Sequence, residues 1–231
     1  MTTSIQFGSK QINFTVVYSN RKTLGITVTP DLDVLVKAPN DSSLDKIKEK
    51  LRKKASWIIK QQSFFLSFHP KTPARLYVGG ETHLYLGRQY LLNVAISNTE
   101  SVKLKGKFIE VKATDKTRVK PLVKDWYLAH AKSKFNEIAQ PLIAKFKRHK
   151  VEPDSIVFRE MPTRWGSCTS KGKIILNPEL IKAPKGCIEY VIIHELCHLI
   201  HHDHTQKFID LQTKEMPDWE RLKLKLENLL A

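Results

Sequence analysis

Five of the chain's nine histidines fall within the eleven residues HELCHLIHHDH, which begin at His194. His194, Glu195 and His198 form the pattern His-Glu-x-x-His. Residues four apart lie on one helix face, about 6 Å apart along the axis, so two neutral imidazoles can share one tetrahedral Zn²⁺ ion. Glu195 lies about 100° around the helix, where it can take a proton from a zinc-activated water. The pattern therefore predicts a zinc-dependent hydrolase with Glu195 as general base.

The third metal ligand is a choice among the histidines that follow the pair. A metal shared by the pair lies near the level of residue 196, which puts His201 about 7 Å and His204 about 12 Å further along a straight helix. Asp and Thr within 202–205 are weak helix formers, so we expect the helix to end near His201 and the chain to fold back with His204. The resulting spacing is that of the metzincins, although they carry glycine where this chain has His201. We predict His204 as third ligand, with His201 as the alternative and a downstream glutamate ranked below both.

The net charge of +16 is unevenly distributed along the chain. Residues 186–231 carry 5 basic and 8 acidic side chains, whereas residues 1–185 carry 34 basic and 15 acidic ones. A solvated, lysine-rich surface is the common explanation of such an excess, and contact with nucleic acid or another polyanion is the alternative. Apolar runs are shorter than the roughly 20 residues of a membrane helix, and neither a secretory signal nor a disulfide framework is recognisable. We expect a cytoplasmic protein without a membrane partner.

The elements that must position the histidines begin with a β-rich region. Alternating apolar and polar residues predict strands over 12–19, 24–30 and 33–39. A helix follows over 43–62, with an apolar stripe on one side and lysines on the other. Strands return between residues 75 and 112. We predict a β-rich N-terminal region, residues 1–116, with one basic amphipathic helix.

The second half, residues 117–231, is predicted to hold the reactive residues, either as a separate domain or as one continuous body with the first half. Its elements are a helix over 117–149 that Pro141 should kink or split, strands over 155–160 and 173–178 with a loop between them, one helix from KGCIEY through HELCHLIHH, and a last helix that opens at Met216-Pro217. The expected fold class is α+β, with an active-site helix beside a mixed or antiparallel sheet.

Five motifs stand out in the last third of the chain: RWGSC (164–168), IILNPEL (174–180), YVIIHELCHL (190–199), HTQKF (204–208) and MPDW (216–219). Together they resemble the YgjP-like family of predicted zinc metallopeptidases and, more distantly, the SprT-like proteases. The resemblance extends forward through RKTLGITV, KAP, SWI and LYLGRQY, and covers about residues 15–225. It implies a zincin-like fold, a peptide or protein substrate, Glu195 as general base, and one zinc ion held by His194, His198 and His204.

Further candidates concern substrate binding and the surroundings of the metal. The resemblance implies that the strand over 173–177 is a sheet edge that pairs with an extended peptide, which would involve Ile174 and Ile175. Arg164 could brace a carboxylate or polarise a substrate carbonyl. Cys168 could approach the metal, although a packing or turn role is the more common one for such a residue.

The sequence therefore predicts a zinc metallopeptidase that cleaves peptide bonds with a zinc-activated water. One alternative, motivated by the basic excess in residues 1–185, is a nucleic-acid-associated protease of the SprT-like type. Another is a non-catalytic binding module that a zinc ion stabilises. Three protein ligands plus water would indicate the enzyme, and four protein ligands would indicate the module.

Overall fold

The structure, a computed structural model, describes residues 2–8, 10–29, 31–66, 75–161 and 164–230. Pro30, at the end of the predicted strand 24–30, and residues 162–163 of the predicted loop lie outside these ranges. The described residues form three small sheets and five α-helices, which confirms the α+β class. The chain divides into two compact units, residues 1–72 and 73–230. None of the helices in the described ranges is long and apolar enough to cross a membrane.

The first unit is a four-stranded sheet followed by one helix. The strand order is β1-β2-β4-β3, in which β2 and β4 are parallel and the outer pairs are antiparallel. The three predicted strands and the helix are present, and an unpredicted strand precedes them. The elements are β1 (Thr2–Phe7), β2 (Lys10–Ser19), β3 (Gly25–Val28), β4 (Val34–Pro39) and α1 (Leu44–Leu66).

Alternation along the strands builds the core of this unit. Successive side chains of a strand point to opposite faces, and in β4 the buried ones are Val34, Val36 and Ala38. They belong to the same apolar cluster as Ile47 and Leu51, which are four residues apart on α1. The sheet therefore buries one face under an amphipathic helix and leaves the other face of the helix to solvent.

The second unit repeats this arrangement and then adds the elements that carry the histidines. Its sheet order is β5-β6-β8-β7, followed by three short strands in the order β10-β11-β9. The elements are β5 (Thr82–Tyr85), β6 (Arg88–Ile96), β7 (Ser101–Lys105), β8 (Phe108–Ala113), α2 (Lys116–Phe146), β9 (Ser155–Phe158), β10 (Gly166–Cys168), β11 (Lys173–Leu176), α3 (Lys185–His198), α4 (Gln206–Glu215) and α5 (Trp219–Leu230), with 3-10 helices at Lys147–His149 and Pro178–Lys182.

The two four-stranded sheets have the same topology. Each has an antiparallel first pair, a parallel central pair and an antiparallel last pair, and each is followed directly by a helix. The strand of each sheet that comes last along the chain contains the tripeptide Val-Lys-Ala, at 36–38 in β4 and at 111–113 in β8. Val and Ala are buried in both strands. The chain thus contains the same strand–helix module twice.

Several sequence expectations differ from the observed elements. The predicted boundary near residue 116 falls inside the second unit, because Ile109 of β8 and Val119 of α2 share one core. The helix that Pro141 was predicted to kink or split is not split, since it is one continuous element from Lys116 to Phe146. Proline removes one hydrogen bond there, and buried residues on both sides of it, including Ile138 and Ile143, hold α2 in the core.

The last third also departs from the expected pattern. The active-site helix ends at His198, earlier than predicted, and the last helix begins at Trp219. An unpredicted helix, α4, lies between them. The predicted loop after β9 contains the short strand β10, which pairs with β11.

Candidate active site

Three of the predicted residues, His194, Glu195 and His198, lie on the helix α3, whose pitch sets their relative positions. It is apolar on almost every side and packs against α2, α4, α5, β10 and β11. Its buried residues are Cys187, Ile188, Tyr190, Val191, Ile192, Ile193, Glu195, Leu196 and Cys197. His194 and His198, which are only partly buried, emerge one turn apart at the C-terminal end. A helix enclosed in this way offers a rigid base for two side chains that point to the same place.

The chain turns back after α3 and brings His204 to this pair. The ligand nitrogens of His194, His198 and His204 all lie within 4.8 Å of one another. The Nε2 atoms of His194 and His204 are 3.1 Å apart. Two nitrogen ligands of a tetrahedral zinc ion, each about 2.0–2.1 Å from the metal, are about 3.3 Å apart. The spacing of His194 and His204 is close to that of two zinc ligands, and the three imidazoles form a group that could hold one metal ion.

Hydrogen bonds orient two of these imidazoles. His194 Nδ1 is 2.8 Å from Oε1 of Gln212, and His198 Nδ1 is 3.1 Å from the carbonyl oxygen of His201. Both oxygens can only accept, so each Nδ1 carries the proton and each Nε2 keeps its lone pair. Burial lowers the pKa of His194 to about 4 and lowers that of His198, which keeps both rings neutral near pH 7. Neutral rings with free Nε2 atoms are the form that binds zinc.

The helix α4 packs against the three imidazoles. Phe208 is fully buried, and its ring centroid lies 5.0, 4.6 and 4.8 Å from those of His194, His198 and His204. Phe208 and Gln212 are four residues apart, so one face of α4 supplies both the aromatic floor and the partner of His194. Sequence reasoning missed both residues because it predicted no helix here. The helical spacing of Phe208, Leu211, Gln212 and Glu215 was the sequence signal that could have predicted α4.

Two further histidines of the stretch do not join the cluster. The side chain of His201 lies outside the group of three, and this residue acts through its carbonyl oxygen on His198. His202 is exposed and lines a cleft beside the three imidazoles. The end of α3 at His198 explains this difference, because the chain leaves the helical path before His201 could follow the pair.

Glu195 lies on the neighbouring side of α3, under the strand β10. Glu195 is 4% exposed, and its Oε2 has no hydrogen-bond partner within the described part of the chain. A Cβ at Gly166 would lie 2.5 Å from Oε1 of Glu195, so only glycine leaves room for this carboxyl group. Burial raises the pKa of Glu195 to about 8, although the charge of Arg164 and the backbone N–H of Cys168 favour the charged form.

Comparison with protein families matches residues 22–229 to the YgjP-like metallopeptidase domain. The chain belongs to the YgjP-like family. The match covers nearly the whole chain, including most of the first unit. No curated protein matches it. Membership of a metallopeptidase family supports a hydrolase and implies a metal ion, and among the described residues His194, His198 and His204 form the group that could hold it.

The cleft of the YgjP-like site has a volume of about 530 Å³. Its walls come from two directions, the histidines and Glu195 on one side and the β10 segment on the other. The β10 side consists of Arg164, Gly166, Ser167, Cys168 and Ser170. Residues of the motifs RWGSC and HELCH thus line the same cleft.

One sequence expectation about this cleft is wrong. Ile174 and Ile175 were predicted on a sheet edge that pairs with a peptide, but β11 is the central strand, between β10 and β9. Ile174 is 0% exposed and Ile175 is 8% exposed. The spacing of strands along the sequence could not show this, because the unpredicted β10 covers the edge of β11 that faces α3.

Cys168 lies in the cleft without joining the imidazoles. Its thiol is 3.5 Å from the carbonyl oxygen of Thr169, to which it donates. Burial, together with the charge of Glu195, raises the pKa of Cys168 to about 11. Cys168 is absent from the metal-binding group found among the described residues.

Proposed function

We propose that this protein is a zinc-dependent peptidase with a zincin-like catalytic centre, in which His194, His198 and His204 hold one zinc ion. The observation that carries the proposal is the convergence of three imidazoles beside a buried carboxyl group with one free oxygen. A zinc ion bound by three protein ligands lowers the pKa of a water at its open position and polarises a carbonyl oxygen.

The protein's own groups supply the proton transfers. A zinc cation held by the three imidazoles would lower the pKa of Glu195 and favour its carboxylate form. The carboxylate would then accept a proton from the attacking water and return it to the leaving nitrogen of the peptide bond. The Cys168 N–H holds this carboxyl group, and its free oxygen is available for the proton. Gly166 permits this position, and the surrounding core keeps bulk water away from all sides of Glu195 except the cleft.

The strand β10 is the best candidate to hold an extended substrate. It is the outer strand of its sheet among the described residues, and Gly166, Ser167 and Cys168 all line the cleft. An extended peptide can pair with the main chain of such a strand. Arg164 precedes β10 and also lines the cleft, which supports a role in contacting a carbonyl or carboxylate of the substrate.

The test compares Glu195→Gln with the wild type. We measure metal content by mass spectrometry and cleavage by identifying new peptide N-termini in a denatured proteome. The variant should keep one zinc ion and lose activity by about 10²–10⁴-fold, because general acid–base catalysis contributes that much. Wild-type turnover in Glu195→Gln would contradict the proposed mechanism.

A matched control comes from the same helix. Glu189 lies on α3, and its carboxylate is 3.5 Å from the Lys185 ammonium, so it pairs away from the cleft. Glu189→Gln should leave both zinc content and cleavage unchanged. Metal coordination by X-ray absorption separates the enzyme from a non-catalytic module, since four protein ligands would indicate a structural zinc ion.

A further inference from the structure

The outer side of α1 carries a row of lysines around an exposed tryptophan, which we name the α1 basic stripe. About 100° of rotation per residue places all its members within about 60° of Trp57 around the helix. Trp57 is 42% exposed, and the lysines are all exposed. The stripe consists of Lys46, Lys50, Lys53, Lys54, Trp57 and Lys60.

The positive charge of the stripe is largely uncompensated. Lys53 forms an ion pair with Glu49 at 2.8 Å, and both groups are mostly exposed. The other four lysines of the stripe have no ion pair within the described ranges of the chain. Even with Lys53 paired to Glu49, the other four lysines leave the stripe with a net positive charge that attracts anions.

The second strand–helix module shows that this module does not require such a surface. Aligning the buried Ile47 and Leu51 of α1 with Val119 and Val123 of α2 gives both helices the same core spacing. In this alignment Leu122 and Trp126 of α2 occupy the positions of Lys50 and Lys54 in α1. Leu122 and Trp126 pack into the core of the second unit, and the Trp126 ring lies 5.1 Å from that of Tyr85. Two positions of the stripe, those of Lys50 and Lys54, are therefore exposed and cationic in α1 but packed in α2, whereas the counterparts of its other four positions are exposed in both helices.

We propose that the α1 basic stripe binds single-stranded nucleic acid, with the lysines on phosphates and Trp57 stacked on an unpaired base. Cationic grooves with an exposed aromatic ring bind single strands in this way, because every base has a face on which an aromatic ring can stack. An anionic membrane fits less well. Helices that bind membranes insert an apolar face, and that of α1 is buried against its own sheet.

The test measures binding of a fluorescent 20-nucleotide single strand, as DNA and as RNA, by anisotropy across a salt series. Wild-type protein should bind, and affinity should fall steeply with salt. The double variant Lys50→Glu/Lys54→Glu should bind at least about tenfold more weakly, with a salt slope smaller by about 1.4, since each phosphate contact on a single strand contributes about 0.7. Trp57→Ala should lose about fivefold or more at an unchanged salt slope, as expected for loss of one stacked base.

The matched control reverses two charges on the same unit but away from α1. Lys22 is exposed in a loop, and Lys37 lies on the face of β4 opposite to its buried residues. Lys22→Glu/Lys37→Glu should change affinity by less than about threefold, because it makes the same change in net charge without touching the stripe. Circular dichroism of every variant checks that the fold is kept.

Three results would overturn the inference. They are the absence of single-strand binding by the wild type at 50 mM salt, equal weakening in the stripe and control variants, and binding to phosphatidylserine vesicles in place of nucleic acid. Tighter binding to a duplex than to the single strand would also overturn it, because paired bases are not free to stack on Trp57. Glu195→Gln should bind like the wild type, so the result does not depend on whether the proposed hydrolysis is correct.

Discussion

The helices α3 and α4 meet at the imidazole cluster, but they contribute to it in different ways. α3 supplies the groups that we propose carry out the chemistry, His194, Glu195 and His198, in a pattern readable from five consecutive residues. α4 supplies Gln212, which bonds His194, and Phe208, which packs against the imidazoles. The comparison teaches that the residues of α3 can be recognised from their type and spacing in the sequence. Those of α4 can be recognised only from their contacts in the folded protein. Variants on the two sides should therefore fail differently.

The largest effect is expected for the third ligand. His204→Ala should abolish stoichiometric zinc binding and cleavage, because two imidazoles leave the metal too few protein ligands. His201→Ala is its matched control, since His201 contributes a backbone carbonyl that the substitution keeps. Zinc titration by calorimetry measures both variants. If His201→Ala loses zinc and His204→Ala retains it, the assignment of the third ligand is reversed.

The next effect concerns the space beside Glu195. Gly166→Ala places a Cβ 2.5 Å from Oε1 and 2.8 Å from Cγ of Glu195, so the carboxyl group must move. We expect kcat to fall about 100-fold with zinc content unchanged, as a displacement of about 1 Å at a catalytic group can cost this much.

The control for this variant is a glycine with open space around it. A Cβ at Gly79 would meet no atom within 4 Å, and Gly79→Ala should leave kcat unchanged. Full activity of Gly166→Ala would show that Glu195 does not need its observed position. A variant that loses zinc would point to a general loss of structure.

A smaller effect is expected when α4 stops orienting His194. Gln212→Ala removes the acceptor of the His194 Nδ1–H bond, at 2.8 Å in the structure. Zinc affinity should fall about 10–100-fold, as is typical when the partner of a metal-bound imidazole is lost. Gln212→Glu keeps an acceptor and should restore most of the affinity, whereas a purely structural role would show no such rescue. Gln206→Ala, on an exposed residue of the same helix, should have no effect.

The smallest effect on catalysis is expected at the far end of α4. The Glu215 side chain is fully buried and bonds Arg148, His149 and Lys145 of α2 and the 3-10 helix after it. Burial opposes its ionisation, but these bonds outweigh burial and lower the pKa of Glu215 to about 2. Glu215→Gln should lower the free energy of unfolding by about 1–3 kcal/mol at pH 7 with cleavage nearly unchanged.

The pH dependence of this difference has a defined sign. A carboxyl group with a depressed folded-state pKa stabilises the protein above its ordinary pKa of 4.5. The gap between wild type and Glu215→Gln should therefore shrink as pH falls from 4.5 and vanish near pH 2. Urea unfolding at several pH values measures it, with the exposed Glu220→Gln as control. A gap independent of pH would mean that the ionised form of Glu215 is not what anchors α4.

Local patterns predicted much of the fold. Alternation predicted β2, β3 and β4, and helical periodicity predicted α1, α2 and α3, because these patterns follow from backbone geometry within a few residues. The missed elements, β1, β10 and α4, are short or weakly patterned, and their neighbours stabilise them. The duplication of the strand–helix module was also hidden, since little more than Val-Lys-Ala is shared between the last strands.

For the site, the sequence by itself determined the group His194, Glu195 and His198, because the pitch of one helix sets their relative positions. It also favoured His204 over His201, through weak helix formers that end the helix. Only the tertiary structure decided that His204 meets the pair, that Gln212 orients His194, that Gly166 makes room for Glu195 and that β11 is covered by β10. These contacts join segments that are far apart along the chain, and packing of the whole core sets their distances, which no local pattern contains.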